Sequence, residues 1–312
     1  MNRFSIKSCA EVLEESFSNN FPADSQLSFF FKKNKNIGKS ERSLIADTYF
    51  NVIRNKRYLE VLGSTSNPFK LILIYLIKLQ GRSIRDLLPM ISEEDGKWLS
   101  KVKANKLKNI DLSVKLSLPD WFWLKLSAQY NEKKATQIAN SLLSPAQLCV
   151  RVNTFKGKGR QEIMTELKES FQEVESQILE TKISPIGINL PRGSYIQKHP
   201  LYLEGNIEVQ DEGSQLLSYL ADAKRGQMVA DFCAGAGGKT LAMTAMMKNT
   251  GRIYSFDISD KRLDSLKTRL KRSGASNISI QRISSENDNK IKRLKEKFDR
   301  VLVDAPCTGF GT

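Results

Sequence analysis

Residues 228–240 run MVADFCAGAGGKT, an apolar strand closing on Asp231, then a glycine-rich turn. A helix, TLAMTAMMK (240–248), follows directly. The pattern repeats outward. Upstream lie GNIEVQD (205–211) and a helical SQLLSYLADA (214–223). Downstream come RIYSFD (252–257), the helix KRLDSLKTRLKR (261–272), NISIQRI (277–283) and RVLVDAPC (300–307). In the 261–272 helix Leu263, Leu266 and Leu270 recur at i, i+3 and i+7, so one face packs on a sheet. Strands separated by amphipathic helices predict parallel βαβ units, an α/β, Rossmann-like doubly wound domain over residues 205–312, with GNIEVQD opening the series.

In such a sheet a ligand sits at the carboxyl ends of the strands. The residues there are Asp231 and then Cys233, Ala234, Gly235, Ala236, Gly237, Gly238, Lys239 and Thr240. Glycines let the backbone turn tightly and approach a ligand without Cβ interference. Three ligands compete. A nucleotide P-loop requires GxxxxGK[ST], but residue 233, where its first glycine belongs, is Cys. A dinucleotide loop requires GxGxxG, and its third glycine position is Thr240. The third ligand, the methyl donor S-adenosylmethionine, needs Gly-x-Gly after an acidic strand end and a carboxylate at the next strand end for its ribose. Asp257 supplies that carboxylate. Asp231, Asp257 and Asp304 each close a predicted strand; carboxylates buried there without a ligand would cost several kcal/mol in desolvation.

The rest of the chain is read around this core. Residues 1–115 read as helical: Ile45, Tyr49, Val52 and Ile53 form one stripe, and an apolar helix over Phe69–Leu79 stops at Gly81. Lys97, Lys101, Lys103, Lys106 and Lys108 form a basic run, by itself a solvated helix face. Residues 116–204 read as a small α/β subdomain. Trp121, Phe122 and Trp123 are expected in its core, Val150 and Val152 alternate with Arg151 and Asn153 as in a half-buried strand, and a helix spans 160–173. His199, the one histidine, precedes a proline and reads as a surface-loop residue.

Among 312 residues 40% are hydrophobic and 27% charged, which excludes a disordered or fibrous chain. The 49 Lys and Arg against 34 Asp and Glu give +15, a field that favours polyanions and puts nucleic acid first among partners. Cys9, Cys149, Cys233 and Cys307 show no CxxC spacing, so neither a metal site nor a disulfide framework is expected. The start lacks a signal-peptide core, and the longest apolar run, Leu71–Ile77, is far too short to span a bilayer. The expectation is a cytoplasmic, monomeric protein with no membrane and no metal partner.

VLVDAPCTGFGT, residues 301–312, places a thiol, Cys307, beside the strand end Asp304. Carbon 5 of cytosine is a poor nucleophile, and adding a thiolate to carbon 6 makes it carbanion-like before methyl transfer. Read from the residues alone, Cys307 is the candidate for that attack.

Taken together, RVNTFK, GNIEVQDEGSQL, DFCAGAGGKTLAM, FDISDKRL and DRVLVDAPCTGFGT resemble the Sun/Fmu-type (RsmB/NOP) RNA cytosine-5 methyltransferases, in that family's order from Arg151 to Thr312. The resemblance implies an S-adenosylmethionine-dependent enzyme acting on RNA, small-subunit ribosomal RNA above all, through a cysteine–cytosine adduct; transfer RNA and a non-catalytic RNA-binding role are the alternatives. It implies that Cys233–Lys239 line the cofactor, Asp257 holds its ribose with Arg262 close by, Ser284 or Ser285, with Glu286 next, stands where an acidic residue usually lies near the adenine, and Asp304 lies beside methionine and target base. It makes Cys307 the helper in product release, the attacking cysteine following a later strand. On that reading the 312 residues are a truncated form, inactive alone, and the Asp304 strand is an uncovered apolar edge. It also makes residues 1–115 a divergent NusB-like RNA-binding domain, 116–204 an RNA-binding subdomain and 205–312 the cofactor domain.

Overall fold

The computed structural model describes all residues except Asn20, 106–108, Arg192 and 308–312. Lys106 and Lys108 of the predicted basic run therefore lie outside the described residues. The chain divides into two compact units at Pro145/Ala146.

The first unit is helical. Its largest core gathers Ile6, Val12 and Leu13 of helix Arg3–Ser18, Ile45, Tyr49 and Val52 of helix Lys39–Arg54, and Leu71–Leu76. The predicted stripe is thus the buried face, with Ile53 at its half-buried margin. The apolar helix begins at Pro68, turns π-helical over Tyr75–Leu79, and ends before Gly81, whose φ is +70°. Lys97, Lys101 and Lys103 lie exposed on helix Glu93–Ala104, the first paired with Glu93 at 2.7 Å. Within LPDWFW the helix Asp120–Gln129 starts after Pro119, and the stretch belongs to this first unit. Phe122 and Trp123 pack on a small core of Leu116, Leu118, Leu126, Ala135 and Ala139, whereas Trp121 is 58% exposed. Successive helical residues point about 100° apart, so one core cannot take all three rings.

The second unit holds two sheets. The first is antiparallel, with β1 (Leu148–Val152), β2 (Leu179–Glu180), β3 (Gly187–Leu190) and β4 (Ile207–Val209) in the order β2-β3-β1-β4. Helix Arg160–Ser170 covers it through Ile163, Met164 and Leu167. Two sequence expectations change here. GNIEVQD does not open the parallel sheet: β4 pairs antiparallel with β1, Val152 opposite Ile207. And β1 is buried on both faces rather than one, since Arg151 is 1% and Asn153 4% exposed.

The second sheet is wholly parallel: β5 (Met228–Asp231), β6 (Arg252–Asp257), β7 (Ile278–Arg282) and β8 (Arg300–Leu302), in the order β7-β6-β5-β8. Strand order reverses between β5 and β8, which opens a crevice at their carboxyl ends. Met243 and Met247 pack against Val229 and Ile253, and Leu263 and Leu266 of helix Asp260–Ser273 are buried as the spacing predicts. At β8 the side chains of Val301 and Val303 are 56% and 59% exposed.

Candidate active site

The turn after β5 is pinned on three sides. The Phe232 N–H donates to the Leu302 carbonyl at 2.9 Å, the Ala234 N–H to that of Phe256 at 2.9 Å, and the Gly235 N–H to Asp257 Oδ2 at 2.8 Å. Gly235 and Gly237 hold φ of +55° and +81°, in the left-handed region that side chains disfavour. A Cβ on Gly237 would stand 2.0 Å from Leu266 Cδ1, whereas one on Gly235 would meet nothing within 4 Å. The first glycine therefore bares its backbone to open space, and the second lets helix 260–273 close beneath the turn.

Beneath the turn, Asp231 is 1% exposed and accepts from Thr240 Oγ at 2.6 Å. Burial outweighs that bond and the nearby Lys239, and pushes its carboxyl up to about 6. Burial, followed by Asp257, Asp231 and Asp304, also raises the Cys233 thiol, so it remains protonated at neutral pH.

Above the turn lies a cavity of about 520 Å³. The structure gathers ten of the sequence-predicted residues in its wall: Asp231, Cys233, Ala234, Gly235, Ala236, Gly238, Lys239, Arg262, Asp304 and Cys307. The Lys239 ammonium, mostly buried, is ion-paired with the Asp304 carboxylate. Cys307 is exposed on the same wall. Gly237, Asp257 and Ser284 are not in the wall. Asp257 works from behind, with Oδ2 on Gly235 and Oδ1 accepting the Ser259 N–H at 2.8 Å. The Ser284 N–H and hydroxyl both donate to Asp288 Oδ2, at 2.9 and 3.0 Å. Those bonds and the Lys290 N–H hold the Asp288 carboxyl down at about 2. His199 is half-buried rather than loose: Nδ1 accepts the Leu201 N–H at 3.2 Å and the ring stacks on Phe171.

Four polar wall residues were not legible as site residues in the sequence: Gln210, Asp211, Ser214 and Arg269. They come with a buried polar seam that joins the two sheets. Glu208, 1% exposed, takes Arg272 on Oε1 at 2.6 Å and Arg269 on Oε2 at 3.0 Å. Arg269 Nη1 donates on to the Ala236 carbonyl at 3.1 Å, which ties β4 to the glycine turn. Asn153 Nδ2 donates to the carbonyls of Gly205 and Ser273. Arg151 Nε donates to Gln210 Oε1 at 2.7 Å, and burial lowers its guanidinium to about 10.

A parallel sheet in this order, with a glycine turn at its switch point and a carboxylate closing each of its two central strands, defines a methyltransferase-type Rossmann domain. A solved methyltransferase homologue from Pyrococcus horikoshii overlays with a TM-score of 0.54 at 30% identity, over 64% of this chain and 63% of that one. The family model described as 16S rRNA methyltransferase RsmB/F matches residues 218–312. Over that segment the chain is similar to that family. It is 30% identical over 200 residues to the probable ribosomal RNA small subunit methyltransferase B of Bacillus subtilis, covering 64% of this chain and 43% of that protein. It is 29% identical over 177 residues to the tRNA (cytosine(49)-C(5))-methyltransferase of Pyrococcus abyssi, covering 54% and 52%. The chain thus spans about half the length of these relatives.

Proposed function

We propose that the protein takes part in S-adenosylmethionine-dependent methylation of cytosine carbon 5 in RNA, with small-subunit ribosomal RNA as the substrate. One observation carries this reading: the cavity above the glycine turn brings the Lys239–Asp304 pair and the Cys307 thiol to one wall. The residues present fit the cofactor. Gly235 offers bare backbone to open space, Asp257 fixes the turn, and Cys233–Lys239 would hold the methionine side with Asp257 at the ribose. Arg262 and the Ser284–Asp288 turn would flank the adenosine. When bound, the cofactor supplies an electrophilic methyl group.

The chain's own residues then handle the base. Carboxylates accept from the exocyclic amine of cytosine, and Asp304 has the right chemistry for that contact. Lys239 holds the Asp304 carboxylate in place and offers a cation to charge developing on the ring. Cys307 serves product release, as the family resemblance implies. The +15 charge supports an RNA partner, with the helical first unit, residues 1–145, acting as the NusB-like RNA-binding part and the antiparallel sheet with its helix as a second RNA-binding part, in a cytoplasmic monomer without metal. Among the described residues no helix is long and apolar enough to cross a membrane.

The Pyrococcus abyssi relative makes transfer RNA the second reading. Bisulfite sequencing of RNA from a strain lacking the gene separates the two. The proposal expects one 5-methylcytosine to vanish from small-subunit ribosomal RNA and to return with the wild-type gene but not with Asp304→Asn. Loss from a transfer RNA selects the second reading, and an unchanged pattern rejects both.

A further inference from the structure

We infer that the groove between helices Ala23–Lys33 and Lys39–Arg54 binds single-stranded RNA: an unpaired base stacks on Phe31 and Phe50, and Lys32, Lys33 and Lys35 take the adjacent phosphates. The inference rests on the RNA reading of the first unit and assigns residues to it.

The charge is concentrated here. Residues 32–57 carry eight basic side chains against Glu41 and Asp47, a net +6 within the +15 of the chain. Lys32, Lys33 and Lys35 are exposed where the first helix ends, and they form no ion pair among the described residues. Arg42 shapes the turn that follows: Nε donates to the Ile37 carbonyl at 2.8 Å and Nη2 to that of Asn34 at 3.2 Å. Glu41 is engaged elsewhere, accepting from Asn2 Nδ2 at 3.0 Å. A second groove of this unit differs. Its Lys56 and Arg57 pair with its own Glu60 and Asp120, which cancels the charge.

The groove between the two helices measures about 420 Å³, enough for a small ligand. Leu27, Phe31 and Phe50 supply its apolar lining, and Lys32, Arg42 and Asp24 its charge. Both rings are half-buried and braced by buried ones: Phe31 meets Phe30 at 5.9 Å and Phe50 meets Tyr49 at 5.2 Å, each edge to face. The Arg42 guanidinium lies over the Phe31 ring, 5.3 Å from its centroid, and that of Arg54 over Phe50 at 5.7 Å. Aromatic rings and guanidinium planes are the surfaces on which unpaired bases stack, and lysines beside them track the phosphates. The Asp24 carboxylate suits an exocyclic amine of the base. Phe29, 63% exposed, precedes Lys32 and Lys33 by three and four residues, on the same side of the helix. An acidic peptide would use the lysines but would not require the rings.

Fluorescence anisotropy on the full chain compares a labelled single-stranded RNA of mixed sequence with an abasic chain of the same length. Wild type should prefer the RNA by about ten-fold or more, the scale of one stacked base. Phe31→Leu keeps an apolar side chain and should erase most of that preference, whereas Phe31→Tyr should retain it. Replacing Lys32, Lys33 and Lys35 together by Gln should weaken both ligands. It should also lower the slope of log affinity against log salt by about 2, three phosphates at roughly 0.7 each. The same replacement at Lys97, Lys101 and Lys103, exposed on another helix, should leave that slope nearly unchanged. Equal affinity of wild type for RNA and abasic chain overturns the base site and leaves a polyanion surface, the result an acidic peptide partner would give. A preference for RNA that Phe31→Leu leaves intact, or equal effects of the two lysine triples, overturns the groove alone. A wild type that binds neither ligand overturns the RNA reading of the first unit along with it.

Discussion

Replacing Glu208 by Gln removes the carboxylate that holds the polar seam between the two sheets. Glu208 is 1% exposed, and it pairs with Arg272 at 2.6 Å and Arg269 at 3.0 Å, whose side chains are 14% and 19% exposed. The fully buried Arg151 also draws on its field, since Glu208 is the group that counters the lowering of that guanidinium by burial. Removing one partner of a buried pair leaves charge uncompensated and costs about 3–5 kcal/mol. For a unit of this size each kcal/mol moves the thermal midpoint by roughly 2–4 °C, so the second unit should melt roughly 6–20 °C lower. Urea unfolding followed by far-UV circular dichroism measures the loss, and hydrogen exchange in peptides spanning β1 and β4 locates it. Glu208→Gln with Arg272→Met removes one of the orphaned charges and should recover part of the loss. A loss under about 1 kcal/mol, with unchanged exchange at β1 and β4, would refute the claim that charge pairing holds this seam.

Three further outcomes follow from the geometry. Gly237→Ala places a methyl group 2.0 Å from Leu266 Cδ1 at a φ of +81°; it should destabilise by at least about 1–2 kcal/mol and abolish cofactor binding, checked by urea midpoint and calorimetry. Asp257→Ala removes the acceptor of the Gly235 and Ser259 N–H groups, and cofactor affinity should fall by about 10–100-fold in the same titration. Asp231 has a folded value raised to about 6 against an ordinary value of about 3.9, so its contribution to stability is full below about pH 4 and is lost as pH rises through about 6, worth about 3 kcal/mol; Asp231→Asn should flatten the urea midpoint over that window.

The glycine turn was legible because its constraint is local. Two left-handed positions and a strand-end acid at fixed spacing specify the turn whatever surrounds it, and β5 to β8 each carry an apolar run between turn residues. The place of GNIEVQD was not legible. IEV alternates like any strand, and whether it pairs in parallel with β5 or antiparallel with β1 depends on contacts distant in sequence. For the same reason Arg151 read as the polar side of a half-buried strand, because its cover, Gln210, lies 59 positions away. Trp121 misled in the opposite direction. Three aromatic residues in a row suggest a core, but helical geometry turns one of them outward. At the site, residues carrying a motif were found, whereas Gln210 and Arg269 needed the three-dimensional neighbours that give them a role.

The account turns on what the glycine turn binds. Isothermal titration of the 312-residue protein with S-adenosylhomocysteine and, separately, with ATP and NAD tests this most directly. Saturable one-to-one binding of S-adenosylhomocysteine, lost in Gly237→Ala, with no heat from the nucleotides, is the predicted result. Saturable binding of ATP or NAD without S-adenosylhomocysteine would contradict it.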